Sequence, residues 1–127
     1  MPRLNPRWLF GAAAAFNLAI GLSLLLARPV LTPLLGLDPI TGTNLVTYYL
    51  TASFVTVFGY AYAQIAFDLE RYRPYILLGL IGKLMAIVAM IAIWQFDRVP
   101  PAVPALAGCD ALFGILFVVF LGQTAKA

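Results

Sequence analysis

Four long apolar runs dominate the sequence, and they constrain its fold more than any other feature. They cover about residues 8–27, 44–67, 75–96 and 102–121. Each is near the roughly 20 residues that an α-helix needs to cross a hydrocarbon core about 30 Å thick. No run alternates polar with apolar residues, as the strands of a membrane β-barrel would. Leu and Ala are abundant in them, which favours helices. We therefore expect an all-α integral membrane protein whose principal partner is the lipid bilayer.

The composition supports this interpretation. Hydrophobic residues make up 63% of the chain and charged residues only 10%, whereas a soluble domain is about 45–50% apolar and about 25% charged. Too few polar groups remain to cover a water-facing surface, which argues against most soluble enzymes and nucleic-acid-binding modules. The formal charge of +3 does not indicate a nucleic-acid partner, because the basic residues are spread among short loops.

The segments between the apolar runs are short and rich in proline, glycine and charge. In the first of them, Asp38 and Pro39 are typical of a turn before the second helix. Short links make sequential helices antiparallel neighbours. The sequence therefore predicts one transmembrane domain over residues 1–127, an antiparallel four-helix bundle.

The positions of Lys and Arg predict the orientation of this bundle. Loops on the cytoplasmic side of a membrane carry an excess of these residues. Arg28 and Arg98 fall on one side, and five basic residues fall on the other: Arg3, Arg7, Arg71, Arg73 and Lys126. We therefore expect a multi-pass protein of the bacterial inner (plasma) membrane with both termini in the cytoplasm.

Lys83 and Asp110 are the two charged residues that lie deep in an apolar run. A charge at the centre of a bilayer costs on the order of 3 kcal/mol on insertion scales. At ~1.5 Å per residue, Lys83 lies ~12 Å and Asp110 ~18 Å from the cytoplasmic side of a ~30 Å core. This offset is within reach of the two side chains, so the sequence predicts a buried ion pair between the third and fourth spans.

Three further polar residues complete the predicted site. Asn17 in the first run and Thr56 in the second lie near the level of the charges, and Tyr60 follows Thr56 by about one turn. Two hypotheses remain open for this group. It either fixes the register of the helices, or it marks a ligand or proton site, as intramembrane ionisable residues often do.

Residues for other chemistry are scarce. The chain has no histidine and one cysteine, Cys109, which is typical of packing rather than redox chemistry. It contains neither a nucleotide-binding glycine motif nor zinc-ligand spacing. We therefore predict a protein that is not an enzyme and that holds no metal and no cofactor.

The order of these features resembles a group of small four-helix bacterial membrane proteins of unknown function, DoxX-like in style. The resemblance spans about residues 17–120. It rests on the following positions: Asn17, Gly21, Gly59, Tyr60, Arg73, Pro74, Gly79, Gly82, Lys83, Asp110, Phe113 and Phe117. The chain lacks the histidine and the paired tryptophans associated with those relatives. The resemblance implies the four-helix fold and the pairing of Lys83 with Asp110, and it implies proximity to membrane redox enzymes.

Two functional hypotheses follow. The first is a non-enzymatic protein that binds a lipophilic molecule such as a quinone or a lipid, or that acts as an accessory subunit of a membrane redox complex. In it Lys83 and Asp110 hold the bundle together, while Asn17, Thr56 and Tyr60 shape a pocket. The alternative is an oligomeric proton- or ion-coupled transporter in which Asp110 is protonated and Lys83 is its counter-charge; four helices are few for a monomeric carrier.

Overall fold

The protein is described by a computed structural model that covers residues 2–37 and 39–125. The expected turn at Asp38 and the contribution of Lys126 to orientation lie outside the described residues. Four long helices are present, α1 (Pro6–Leu26), α3 (Thr43–Phe67), α5 (Pro74–Phe96) and α6 (Ala102–Ala125), with two short ones, α2 (Arg28–Leu34) and α4 (Leu69–Tyr72). No strand occurs in the described ranges, so the predicted all-α fold is confirmed there.

The helix ends differ from the predicted boundaries by a few residues, for local reasons. The helix α1 begins at Pro6 because the side chain of Asn5 accepts a hydrogen bond from the backbone N–H of Arg7. Proline is favoured in such a first turn, where its missing N–H has no helical partner. Helix α2 was not predicted, since its seven residues contain two prolines, Pro29 and Pro33.

Helices α1 and α3 pack closely because glycines lie between them. A Cβ atom on Gly21 would lie 2.8 Å from the backbone nitrogen of Thr56, and one on Gly59 would lie 2.9 Å from that of Leu18. Membrane helices commonly associate through such small residues, which let the backbones approach.

One end of the molecule, which we call the closed end, is filled by buried side chains from all four long helices. Its six largest fully buried side chains are Phe10, Tyr62, Ile65, Ile76, Phe117 and Phe120. The Phe10 ring lies 4.9 Å from that of Phe117 and 5.4 Å from that of Phe120, between centroids. Beyond them, Gln123 of α6 binds the N-terminal segment: its Oε1 accepts from the backbone of Leu4 at 2.9 Å.

The opposite end, which we call the α2 end, has a smaller core. It consists of Leu24, Tyr48 and Ala52, with Leu31 of α2 and Leu35 directly after it packed against them. The Tyr48 hydroxyl donates a 2.7 Å hydrogen bond to the carbonyl oxygen of Leu24, near the end of α1. This bond ties the last turns of α1 to the first turns of α3.

The outward faces of the long helices are apolar. Met85 is 69% exposed and Ile115 is 62% exposed, and many other aliphatic residues are similarly uncovered. All four long helices are long and apolar enough to cross a membrane by length and composition. These properties suggest a multi-pass membrane protein.

Candidate functional site

The predicted ion pair forms in the middle of α5 and α6. The Nζ of Lys83 lies 2.6 Å from Oδ1 of Asp110. The Lys83 side chain is 3% exposed, whereas that of Asp110 is 17% exposed. The two partners therefore differ in exposure: the Lys83 side chain is enclosed, whereas part of the Asp110 side chain is exposed.

Asn17 connects this pair to the other two long helices. Its Oδ1 accepts a hydrogen bond from Lys83 Nζ at 3.3 Å, and its Nδ2 donates one to the carbonyl oxygen of Val55 at 3.3 Å. We call Asn17, Lys83 and Asp110 the polar cluster. Its hydrogen bonds join α1, α3, α5 and α6 at one level.

Aromatic rings surround the lysine. The Nζ of Lys83 lies 5.7 Å from the ring centroid of Phe16, 5.3 Å from that of Tyr62 and 5.4 Å from that of Phe113. The faces of such rings attract a cation, more so when it is removed from water. Sequence reasoning did not assign this role to the three rings. Helical spacing gave a signal for Phe113, which follows Asp110 by three residues, but not for Phe16, which is adjacent to Asn17.

A cavity of about 880 Å³ extends from the polar cluster towards the α2 end. It lies between α1 and α3 on one side and α5 and α6 on the other, and its lining is mainly apolar. The apolar and small residues around it include Phe16, Ile20, Leu24, Leu35, Ile40, Phe54, Phe58, Ala86, Ala89, Met90, Val103 and Leu106. The members of the polar cluster also line it, so the cavity has one charged wall.

The remaining polar side chains of the cavity come mostly from α3. The Thr47 hydroxyl donates to the carbonyl of Thr43 at 3.1 Å, and the Thr51 hydroxyl donates to that of Thr47 at 2.9 Å. Tyr62, next to Lys83, donates its hydroxyl to the carbonyl of Gly79 at 3.3 Å. These groups have therefore already used their hydroxyl hydrogens within the protein.

Thr56 and Tyr60 lie apart from the polar cluster and do not line the cavity. Thr56 packs against Gly21 and donates its hydroxyl to the carbonyl of Ala52 at 2.8 Å. Tyr60 is 61% exposed, and its hydroxyl accepts a 2.7 Å hydrogen bond from Gln64 Nε2. The cavity side of α3 passes through Val55, and each residue advances a helix by about 100°, so Thr56 faces α1 instead.

The described residues contain no group of three or more His, Cys, Asp or Glu side chains that could hold a metal ion. Cys109 is exposed and lies beside Asp110 in the chain, on a different face of α6. Within that part of the chain, every buried side-chain nitrogen and oxygen has a hydrogen-bond partner. The polar cluster is thus the one buried charged feature among the described residues.

Comparison with known proteins finds no match: the chain matches no protein-family model, no curated protein and no solved structure. The resemblance to DoxX-like proteins stays a prediction from the residues quoted above. The function has to be argued from the cavity and the polar cluster.

Proposed function

We propose that the protein is a non-enzymatic membrane protein that binds a lipophilic small molecule between its helices. The observation that carries this proposal is the position of the polar cluster at the inner end of a large apolar cavity. An apolar enclosure with a few convergent polar groups is the usual form of a small-molecule site, and such sites have volumes of about 300–1,000 Å³. The cavity of about 880 Å³ falls in this range.

The proposed setting is the inner membrane of a bacterium, with four antiparallel spans. The apolar outward faces and the length of the four long helices support insertion. Both termini lie in the cytoplasm in this proposal, because Arg3, Arg7, Arg71 and Arg73 belong to one side and Arg28 and Arg98 to the other. The closed end then faces the cytoplasm and the α2 end faces outwards.

The unequal exposure of the ion pair favours a ligand site over a purely structural lock. A pair that served only to fix helix register would be best enclosed on all sides, since water and ligands weaken it. Here the side chain of Asp110 remains 17% exposed and borders the cavity. The pair can therefore hold the helices together and present a polar surface to a bound molecule.

Blocking the cavity tests this proposal. Ala86 lines the cavity one turn from Lys83, whereas Ala92, on the same helix, is exposed and does not line it. We expect Ala86→Phe to reduce at least tenfold the amount of lipophilic molecule that is retained on purification, because the phenyl ring would occupy space in the cavity that the ligand needs. Ala92→Phe is the matched control and should retain the wild-type amount.

Native mass spectrometry of the protein released from detergent measures the bound molecule, and thermal unfolding shows whether each variant is folded. The proposal is supported if wild type and Ala92→Phe carry an adduct that Ala86→Phe loses while remaining folded. It is overturned if wild type carries no adduct and takes up none from added lipid extracts, or if both variants bind alike.

A proton- or ion-coupled transporter is the second candidate, and one observation favours it. The cavity reaches the ion pair from the α2 end, while Phe10, Phe117 and Phe120 fill the closed end. Access from one side at a time is what an alternating-access carrier requires. Proton flux in proteoliposomes that disappears in Asp110→Asn would support transport, and a protein without flux at any pH would exclude it.

A further inference from the structure

We propose that the ligand of the cavity is a neutral lipophilic alcohol whose hydroxyl donates a hydrogen bond to the carboxylate of Asp110. This inference rests on the proposed binding function and specifies the chemical class of the ligand. It follows from which polar atoms of the cavity remain available and from the charge that they carry.

Lys83 is not available to a ligand. Its ammonium group has three hydrogens; it donates to Asp110 at 2.6 Å and to Asn17 at 3.3 Å, and the rings of Phe16, Tyr62 and Phe113 lie around it. Its side chain is 3% exposed. A ligand that needs a hydrogen-bond donor or a positive charge therefore finds neither at this position.

Asp110 does have an available atom. Its Oδ1 binds Lys83, and within residues 2–37 and 39–125 its Oδ2 accepts no hydrogen bond. Because every buried side-chain oxygen of that part of the chain has a partner, Oδ2 cannot be buried. The side chain is 17% exposed and lines the cavity, and our inference assigns this exposed oxygen to the cavity surface. As the partner of Lys83 in an ion pair, the carboxylate is a charged acceptor, and such acceptors form stronger hydrogen bonds than neutral ones.

The neighbouring polar groups of α3 are also acceptors. Thr47 and Thr51 donate their hydroxyl hydrogens to carbonyls of their own helix, which leaves only oxygen lone pairs for a ligand. Asn44, at the α2 end of the cavity, is the residue that offers both donor and acceptor atoms. A ligand whose polar group only accepts, such as a quinone carbonyl, would therefore face unpaired oxygens at the inner end.

The charge of the site favours a neutral donor over a cationic one. Lys83 and Asp110 already neutralise each other, so a bound ammonium group would add an uncompensated charge to a mainly apolar cavity. A fatty-acid carboxylate would be repelled by Asp110. A hydroxyl donates one hydrogen bond and adds no charge.

Matched single-chain amphiphiles test the proposal without any substitution. The probes are hexadecanol, its methyl ether, hexadecylamine and palmitate, each titrated into the protein in an amine-oxide detergent whose head group has no donor. Displacement of a fluorescent apolar dye measures binding. We expect hexadecanol to bind about tenfold or more tightly than the ether, because the ether leaves the carboxylate oxygen without its partner. The amine and palmitate should be weaker than the alcohol.

A monoacylglycerol in the same series distinguishes a membrane-lipid source of the hydroxyl from a free alcohol. Binding tighter than that of hexadecanol assigns the site to glycerolipids, and weaker binding assigns it to simple alcohols. Both results support a ligand that donates a hydrogen bond from a hydroxyl group. Equal binding of hexadecanol and its ether overturns the inference but leaves the proposed binding function in place. If no probe displaces the dye, the inference and the binding function both fail.

The double variant Lys83→Met with Asp110→Leu provides a second measurement. It removes both charges together, so neither is left stranded, and it removes the acceptor. We expect it to bind the alcohol and the ether alike. A preference for the alcohol that persists in a folded double variant would show that another group receives the hydroxyl, and would overturn the assignment to Asp110.

Discussion

The closed end and the α2 end of the four long helices differ in how densely their interior is packed. At the closed end, Phe10, Tyr62, Phe117 and Phe120 are each at most 2% exposed. At the α2 end, a cavity occupies the space between the helix pairs. The polar cluster lies at the boundary between the two. The same four helices are thus packed together at one end and leave a space between them at the other.

Removal of one charge of the Lys83–Asp110 ion pair should have the largest effect on stability. We expect Lys83→Met to lower the free energy of unfolding by about 3–5 kcal/mol, because the carboxylate of Asp110 loses its partner. The double variant Lys83→Met with Asp110→Leu should lose much less. Unfolding in mixed detergent micelles measures both. A double variant as unstable as the single one would show that the two ends are not joined through this pair.

Replacing one phenylalanine at each end by alanine compares the packing of the two interiors directly. Phe117 is fully buried at the closed end, whereas Phe54 lines the cavity and is 62% exposed. We expect Phe117→Ala to cost about 3 kcal/mol by leaving a void, and Phe54→Ala to cost less than about 1 kcal/mol. The same unfolding assay applies. Equal losses would contradict the division into a packed end and an open end.

Gly21 tests whether α1 and α3 remain tightly packed towards the α2 end. A Cβ at Gly21 would collide with Thr56, while one at Gly108 would meet nothing within 4 Å. We expect Gly21→Ala to destabilise the protein by about 2 kcal/mol through overpacking, with Gly108→Ala near neutral. A neutral Gly21→Ala would mean that these two helices separate easily, and that the cavity wall formed by α1 and α3 is mobile.

Two tyrosines of α3 give the smallest expected effects. Tyr62→Phe removes a buried hydroxyl that donates to the carbonyl of Gly79, and should cost about 1 kcal/mol. Tyr60→Phe removes an exposed hydroxyl that pairs with Gln64, and should change stability by less than about 0.5 kcal/mol. Thermal unfolding of the two variants shows which substitution costs more stability. If Tyr60→Phe were the more damaging, the outward face of α3 would be covered by a partner.

The sequence predicted the four long helices and the ion pair because both depend on quantities that it determines directly. Run length gives the number of helices, and distance along a helix gives the depth of a residue, whatever the rotation of that helix. Lys83, Asp110 and Asn17 were brought together on this basis. Depth also selected Thr56, and Tyr60 was added because it follows Thr56 by about one turn of the same helix; the structure places both elsewhere.

Rotation and separation of helices could not be predicted. The helix α3 carries polar residues on several faces, among them Ser53, Thr56, Tyr60 and Gln64, so its polar pattern does not define which face is inward. The contact of Gly21 with Thr56 decides that rotation. The cavity depends on how far two helix pairs diverge, a property of the assembled helices that no single segment encodes.

Gln123 has a consequence for how the chain can be rearranged. Its side chain accepts from the backbone of Leu4 and donates to the carbonyl of Pro2 at 3.0 Å, so residues from both ends of the chain are neighbours. A short peptide linker could join them, and the polypeptide could then be opened between α3 and α5 without separating the ion pair. Reporter domains fused at either end would lie at the same end of the helical bundle. The order of the helices along the gene is therefore separable from their arrangement in space.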